Sequence, residues 1–214
     1  MPLNVKICGI SDAPTLKAVR DAGADFAGFI DFPRSPRHVL PQRVAGWLSP
    51  ELREDINLVV VTVDASDAML EPWFHSVNPD FLQLHGDEPP ERLREIRKKY
   101  GCGIIKALPL RDLKDLEDVT VFANDADILL FDAPPPAEGG LPGGNGLHFD
   151  WRILGGCDIP APWMLSGGLT ATNLAEAVAA TKATMVDVSS GVEFAPGRKS
   201  LEKIREFVRI AKGL

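Results

Sequence analysis

The chain has 214 residues, 45% hydrophobic and 25% charged, a balance ordinary for a soluble globular protein, and its length permits one large domain, such as an α/β barrel, or two small ones. Its 23 basic and 30 acidic residues leave a net charge of −7 with no basic run, which argues against a nucleic-acid partner. Three widely spaced cysteines, Cys8, Cys102 and Cys157, argue against a disulfide framework or a zinc site and fit a reducing cytoplasm, and no apolar run reaches the length of a membrane span.

The N-terminal residues lead directly into a strand, Val5-Lys6-Ile7-Cys8-Gly9, and lack the features of a signal peptide. Ser11 or Asp12 caps the next helix, which runs through Pro14 to Arg20 and ends at Gly23. Asp25–Ile30 reads as a second strand, followed by a polar loop from Asp31 to His38 and a helix from about Pro41 to Leu48. Asn57–Val63 is a β-branched third strand, and Ser66 starts a helix reaching about Ser76. Asp80–Leu84 is the fourth strand, ending in His85-Gly86, and Pro89 opens a charged helix to about Tyr100.

Ile104–Ala107 is the fifth strand, Leu113–Asp118 a short helix and Asp127–Asp132 the sixth strand. The longest loop, Ala133 to His148, is crowded with proline and glycine and reads as a functional lid or a disordered segment. A short helix over Phe149–Leu154 precedes two more short apolar strands, within Trp163–Leu169 and Met185–Glu193, each ending abruptly in small residues, and Ser200–Lys212 is an amphipathic helix with Leu201, Ile204, Phe207, Val208 and Ala211 on one face. Eight strands alternate with helical segments at a spacing of roughly 25 residues, without a composition break. A single α/β domain over residues 1–214, a (β/α)8 TIM barrel, accounts for this count better than an open sheet. The first strand also lacks the GxGxxG of a dinucleotide fold.

In such a barrel, chemistry belongs at the C-terminal ends of the strands. Two of those ends, Gly167-Gly168 and Ser189-Ser190-Gly191, offer unencumbered backbone N–H groups and form a concavity suited to phosphate. The alternative is a pair of ordinary glycine turns. Cys8 reads either as a small buried hydrophobe or as a thiol reaching the site beside Gly9. Asp132 ends an apolar strand and is either a general acid over a dry barrel or a cap for the proline-rich loop. Lys106 either binds phosphate or pairs with an acid inside the barrel; Gln83 and His85 either belong to the site or satisfy loop backbone groups. Arg37 is either a bidentate carboxylate ligand or a solvated loop arginine.

Several segments, in order and over nearly the whole chain, resemble the phosphoribosylanthranilate isomerase family of tryptophan biosynthesis. They are Lys6-Ile-Cys-Gly9, Gly28 through Arg37, Gln83-Leu-His-Gly86, Gly143 through Trp151, Leu165-Ser-Gly-Gly-Leu169 and Asp187 through Glu193. The resemblance implies a cofactor-free and metal-free Amadori rearrangement of a small phosphosugar, with no membrane partner, in the cytoplasm, by a monomer or homodimer. Asp132 would then protonate the ribose ring oxygen and Cys8, as thiolate, would remove the C2 proton. Arg37 would hold the anthranilate carboxylate, and Gly167, Gly168, Ser189, Ser190 and Gly191 the phosphate. Thr62 and Asp31 depart from the family's usual apolar residues, which implies an altered pocket wall. Related histidine-pathway barrels use two aspartates, whereas here the first strand ends in Cys8. A non-catalytic phosphate sensor would need neither Cys8 nor Asp132.

Strand parity adds one more expectation. If Cys8 and Ser189 face the barrel mouth, then Lys6 and Asp187 lie one layer below them on neighbouring strands. A lone charge there is costly, so the two should form a buried pair beneath Cys8.

Overall fold

A computed structural model describes residues 2–134 and 150–214. Eight parallel strands, β1 (Asn4–Cys8), β2 (Phe26–Asp31), β3 (Asn57–Thr62), β4 (Phe81–Leu84), β5 (Gly103–Pro109), β6 (Ile128–Asp132), β7 (Trp163–Leu165) and β8 (Met185–Val188), close in sequential order into a barrel. β8 pairs back onto β1, with Lys6 opposite Asp187. The outer layer is built from α1 (Ala13–Asp21), α2 (Pro41–Ala45), α3 (Pro50–Glu54), α4 (Asp67–Ser76), α5 (Pro90–Tyr100), α6 (Glu117–Phe122), α7 (Leu174–Thr181) and α8 (Leu201–Lys212).

The strands are covered on both faces, which is why they read as nearly unbroken apolar runs. Alternate residues divide between two cores. Phe26, Val59, Ile105, Ala107, Ile128, Leu130, Met164 and Met185 fill the barrel interior. Their neighbours, including Ala27, Phe29, Leu58, Val60, Ile104, Leu108, Leu129 and Phe131, pack outward against the helices. This division decides which strand-end residues reach the mouth.

Local signals place the helices as expected, with adjustments at their ends. Asp12 is the cap of α1, its carboxylate accepting from the Thr15 N–H at 2.8 Å. Ser200 caps α8, whose Ile204, Phe207, Val208 and Ala211 are buried. α2 stops at Ala45 rather than Leu48, and α3 follows where no helix was expected. The segment after β5 splits into a 3-10 turn, Leu113–Leu116, and α6. After β8 the chain adds a small antiparallel hairpin, β9 (Glu193–Ala195) and β10 (Arg198–Lys199), absent from the sequence expectations. The expected lid, Ala133–His148, lies outside the described residues from position 135 on.

The expectation that Asp31 and Thr62 line the pocket is corrected. Asp31 shares the outward face of β2 with Ala27 and Phe29, and accepts a 2.8 Å hydrogen bond from the indole of Trp73 on α4. Thr62 shares the outward face of β3 with Leu58 and Val60 and is fully buried. Both belong to the barrel–helix interface. Among the described residues, no helix is long and apolar enough to cross a membrane.

Candidate active site

β1 and β8 place Lys6 and Asp187 side by side with both side chains inward. The Lys6 ammonium donates to Asp187 Oδ1 at 2.9 Å, and the Ser166 hydroxyl at the end of β7 donates to Oδ2 at 3.2 Å. The expected buried pair is present. Burial works against the Lys6 charge, but Asp187 and Cys8 together outweigh it and hold the Lys6 pKa above the ordinary lysine value. Cys8 lies one layer higher on the same face. A side chain on Gly28, its partner on β2, would come within 3.1 Å of the Cys8 sulfur and 3.3 Å of Lys6 Cε, so glycine makes room for both. Burial pushes the Cys8 thiol pKa up, while the charges of Lys6 and Lys199 pull it down and Asp187 adds to the rise; the net direction is upward. The resting group is therefore a thiol held over an ammonium.

Asp132 follows Ile128 and Leu130 on the inward face of β6 and is buried at the mouth. β6 is three strands from β1 around the closed barrel, so Asp132 and Cys8 approach the mouth from different sides. His85 Nε2 lies 3.5 Å from Asp132 Oδ2, and His85 Nδ1 is 3.1 Å from the Gln83 amide nitrogen. Gln83 and His85 thus form a short polar chain leading to Asp132 rather than only serving loop backbone.

Arg37 is buried, not solvated. Its Nε and one terminal nitrogen form a two-pronged contact with Glu193 at 2.7 and 2.9 Å. Glu193 also accepts from Lys199 Nζ at 2.9 Å, and Lys199 donates to the Ser189 carbonyl at 2.8 Å and hydroxyl at 3.2 Å. Gly9, with φ of +78°, sits where these groups converge. A Cβ there would meet Arg37 Cδ at 2.6 Å and Ser189 Oγ at 3.1 Å. The end of β1 thereby brings Cys8, Arg37 and Ser189 together.

The two small-residue turns are equally tight. Gly167 and Gly168 have φ of +82° and +68°, a region other residues adopt at a cost. The Gly168 carbonyl is held by the Asn173 amide at 3.0 Å. A Cβ on Gly191 would fall 1.9 Å from the Leu169 carbonyl oxygen, so the β7 and β8 turns are in direct backbone contact. Ser190 and Gly191 form a single 3-10 turn with Val192. Gly167 is buried, and Gly168, Ser189, Ser190 and Gly191 are half-buried.

Lys106 is placed differently from either expectation. It lies on the outward face of β5, between Ile104 and Leu108, where it pairs with Glu88 at 2.8 Å and sits 5.5 Å from the Phe122 ring centre. It neither reaches the mouth nor pairs inside the barrel. Glu193 and Lys199 are the contributions that sequence reasoning missed. No sequence signal pointed to them: a guanidinium needs an acidic partner when buried, and the burial of Arg37 is visible only in the structure. Among the described residues, no cluster of three or more His, Cys, Asp or Glu is disposed to hold a metal ion.

This arrangement has counterparts. Residues 5–210 match the family model described as N-(5'phosphoribosyl)anthranilate (PRA) isomerase. An N-(5'-phosphoribosyl)anthranilate isomerase of Parvibaculum lavamentivorans is 50% identical over 214 residues, covering 99% of each chain. The crystal structure of phosphoribosyl anthranilate isomerase from Thermotoga maritima superposes with a TM-score of 0.85 at 32% identity, covering 99% of this chain and 100% of that one. A structure of such an isomerase in complex with reduced 1-(o-carboxyphenylamino)-1-deoxyribulose 5-phosphate gives 0.81 at 30% identity over the same shares. With inward Cys8 and Asp132 at one barrel mouth and a family match over nearly its full length, the chain belongs to the N-(5'-phosphoribosyl)anthranilate isomerase family.

Proposed function

We propose that this protein converts N-(5-phosphoribosyl)anthranilate to 1-(2-carboxyphenylamino)-1-deoxyribulose 5-phosphate in tryptophan biosynthesis. It acts in the cytoplasm, as a monomer or homodimer, as an intramolecular oxidoreductase of the aldose–ketose type. The reaction moves hydrogen within the substrate: C2 is oxidised to the ketone as C1 is reduced to the amine-bearing methylene.

Asp132 serves as general acid, giving its proton to the ribose ring oxygen. The C1–O bond breaks and the anthranilate nitrogen supplies its electron pair, forming an iminium at C1. That cation acidifies the C2 proton, which the Cys8 thiolate removes, and the enolamine formed tautomerises to the ketone, C1 gaining a proton as the C2 hydroxyl loses one. Burial makes the thiolate a minor form at neutral pH, and the Lys6 ammonium beneath it is the main charge favouring it. Arg37 takes the anthranilate carboxylate, and the turns containing Gly167, Gly168, Ser189, Ser190 and Gly191 take the phosphate. Two anchored ends leave the reacting carbons little freedom to wander from the acid and base.

The observation that carries this reading is the convergence at Gly9. One backbone turn carries the base and touches both Arg37 and Ser189. The test is turnover of freshly formed phosphoribosylanthranilate, followed by loss of its fluorescence.

A further inference from the structure

Glu193 and Lys199 stand at the two ends of the hairpin β9–β10, outside the barrel wall, yet both are buried. Their bonds run in two directions. Toward β2, Glu193 grips Arg37 through two oxygens. Toward β8, Lys199 holds the Ser189 carbonyl and hydroxyl, and its third contact returns to Glu193. The hairpin turn is itself seated on the loop that carries Arg37, since a Cβ on Gly197 would lie 2.4 Å from the Pro36 carbonyl oxygen. The Gly197 N–H donates to Glu193 Oε2 at 3.2 Å, and Lys203 of α8 donates to the Glu193 carbonyl at 2.8 Å.

We propose that Glu193 and Lys199 are positioning residues that fix Arg37 and the Ser189 turn as one unit, so that the hairpin sets the separation between the carboxylate and phosphate subsites. The inference rests on the isomerase reading for the identity of those two subsites. An arginine on a free loop would sample many rotamers, whereas a guanidinium clamped along one edge meets a ligand already oriented. Burial opposes the Glu193 charge, but the hydrogen bonds from Arg37 and the Lys199 charge hold its carboxyl below the ordinary glutamate range. The Glu193 carboxylate is therefore charged at neutral pH, while burial pulls the Lys199 pKa below the ordinary lysine value. A substrate with anions at both ends is then gauged by a fixed distance, and one lacking either anion escapes the gauge. Glu193 acts through Arg37, so its effect belongs in binding, whereas the Lys199 charge also lowers the Cys8 pKa, so its removal acts on kcat as well.

The experiment compares two substrates and one inhibitor. The substrates are phosphoribosylanthranilate and the carboxylate-free compound made from aniline and ribose 5-phosphate; the inhibitor is inorganic phosphate. Glu193→Gln keeps the side chain's size but removes its charge and one acceptor from the Arg37 clamp. It should raise KM for the carboxylated substrate about tenfold or more, with kcat within about threefold, and shift KM for the carboxylate-free substrate by less than about twofold. Lys199→Met should weaken phosphate inhibition and binding of the carboxylated substrate together, because it severs the link at Ser189. If Glu193→Gln fails to fold, the Lys199→Met pattern decides. Equal KM increases for both substrates in Glu193→Gln, or a Lys199→Met effect on only one subsite, would overturn the proposal. Wild-type turnover is measured first: its absence would overturn the isomerase reading itself, independently of the gauge.

Discussion

Lys6 and Asp187 stand opposite one another in the β1–β8 register and are joined at 2.9 Å inside the barrel, one layer beneath Cys8. The pair is closed to water, and the Ser166 hydroxyl satisfies the second carboxylate oxygen. Removing one partner strands the other charge in an apolar interior. Asp187→Asn should lose roughly 3–5 kcal/mol of stability, the range for breaking a buried pair. Urea unfolding measures it, and a midpoint like that of the wild type would refute the expectation.

The Cys8 thiol should titrate late. Thiolate is the form that alkylates, and an upward shift means less thiolate at any given pH. In a Cys102→Ala/Cys157→Ala background, the rate of iodoacetamide modification should still be rising at pH 9.0, the ordinary thiol value. Removing the Lys6 charge, as in Lys6→Met, should push the titration higher still. A plateau at or below neutrality would mean that the charges beneath the thiol outweigh its burial.

Thr62 offers a test of the outer layer. Its hydroxyl is buried and has no hydrogen-bond partner among the described residues. Thr62→Val preserves the shape and deletes that hydroxyl, so stability should rise by on the order of 1 kcal/mol. Because the side chain faces the helices, turnover should not change. A loss of stability of similar size would show that the hydroxyl is satisfied.

Much of this architecture is legible in the sequence. Strands buried on both faces appear as apolar runs, and some, such as β1 at Cys8-Gly9 and β6 at Asp132, end in small or polar residues at the mouth. The same burial hides sidedness, since inner and outer residues are equally apolar. That is why Asp31, Thr62 and Lys106 read as pocket or interior residues in the sequence, whereas their register turns them toward the helices. Lys6 and Asp187 escaped this ambiguity because they share a face with Cys8 and Ser189, whose placement at the mouth had been assumed. The Arg37–Glu193 contact was not readable, for its partners are 156 residues apart and Glu193 lies on a strand of three residues. Patterns of period two need longer runs than that.

The most direct test of the central claim compares turnover of phosphoribosylanthranilate by the wild type, Cys8→Ala and Asp132→Asn. With an acid and a base entering from different sides of the mouth, each variant should lose kcat by about 10²–10⁴-fold, the usual worth of general acid or base catalysis. KM should change far less, because the carboxylate and phosphate contacts remain. Near-normal turnover in Cys8→Ala would contradict the assignment of the base, and absence of turnover in the folded wild type would contradict the isomerase reading as a whole.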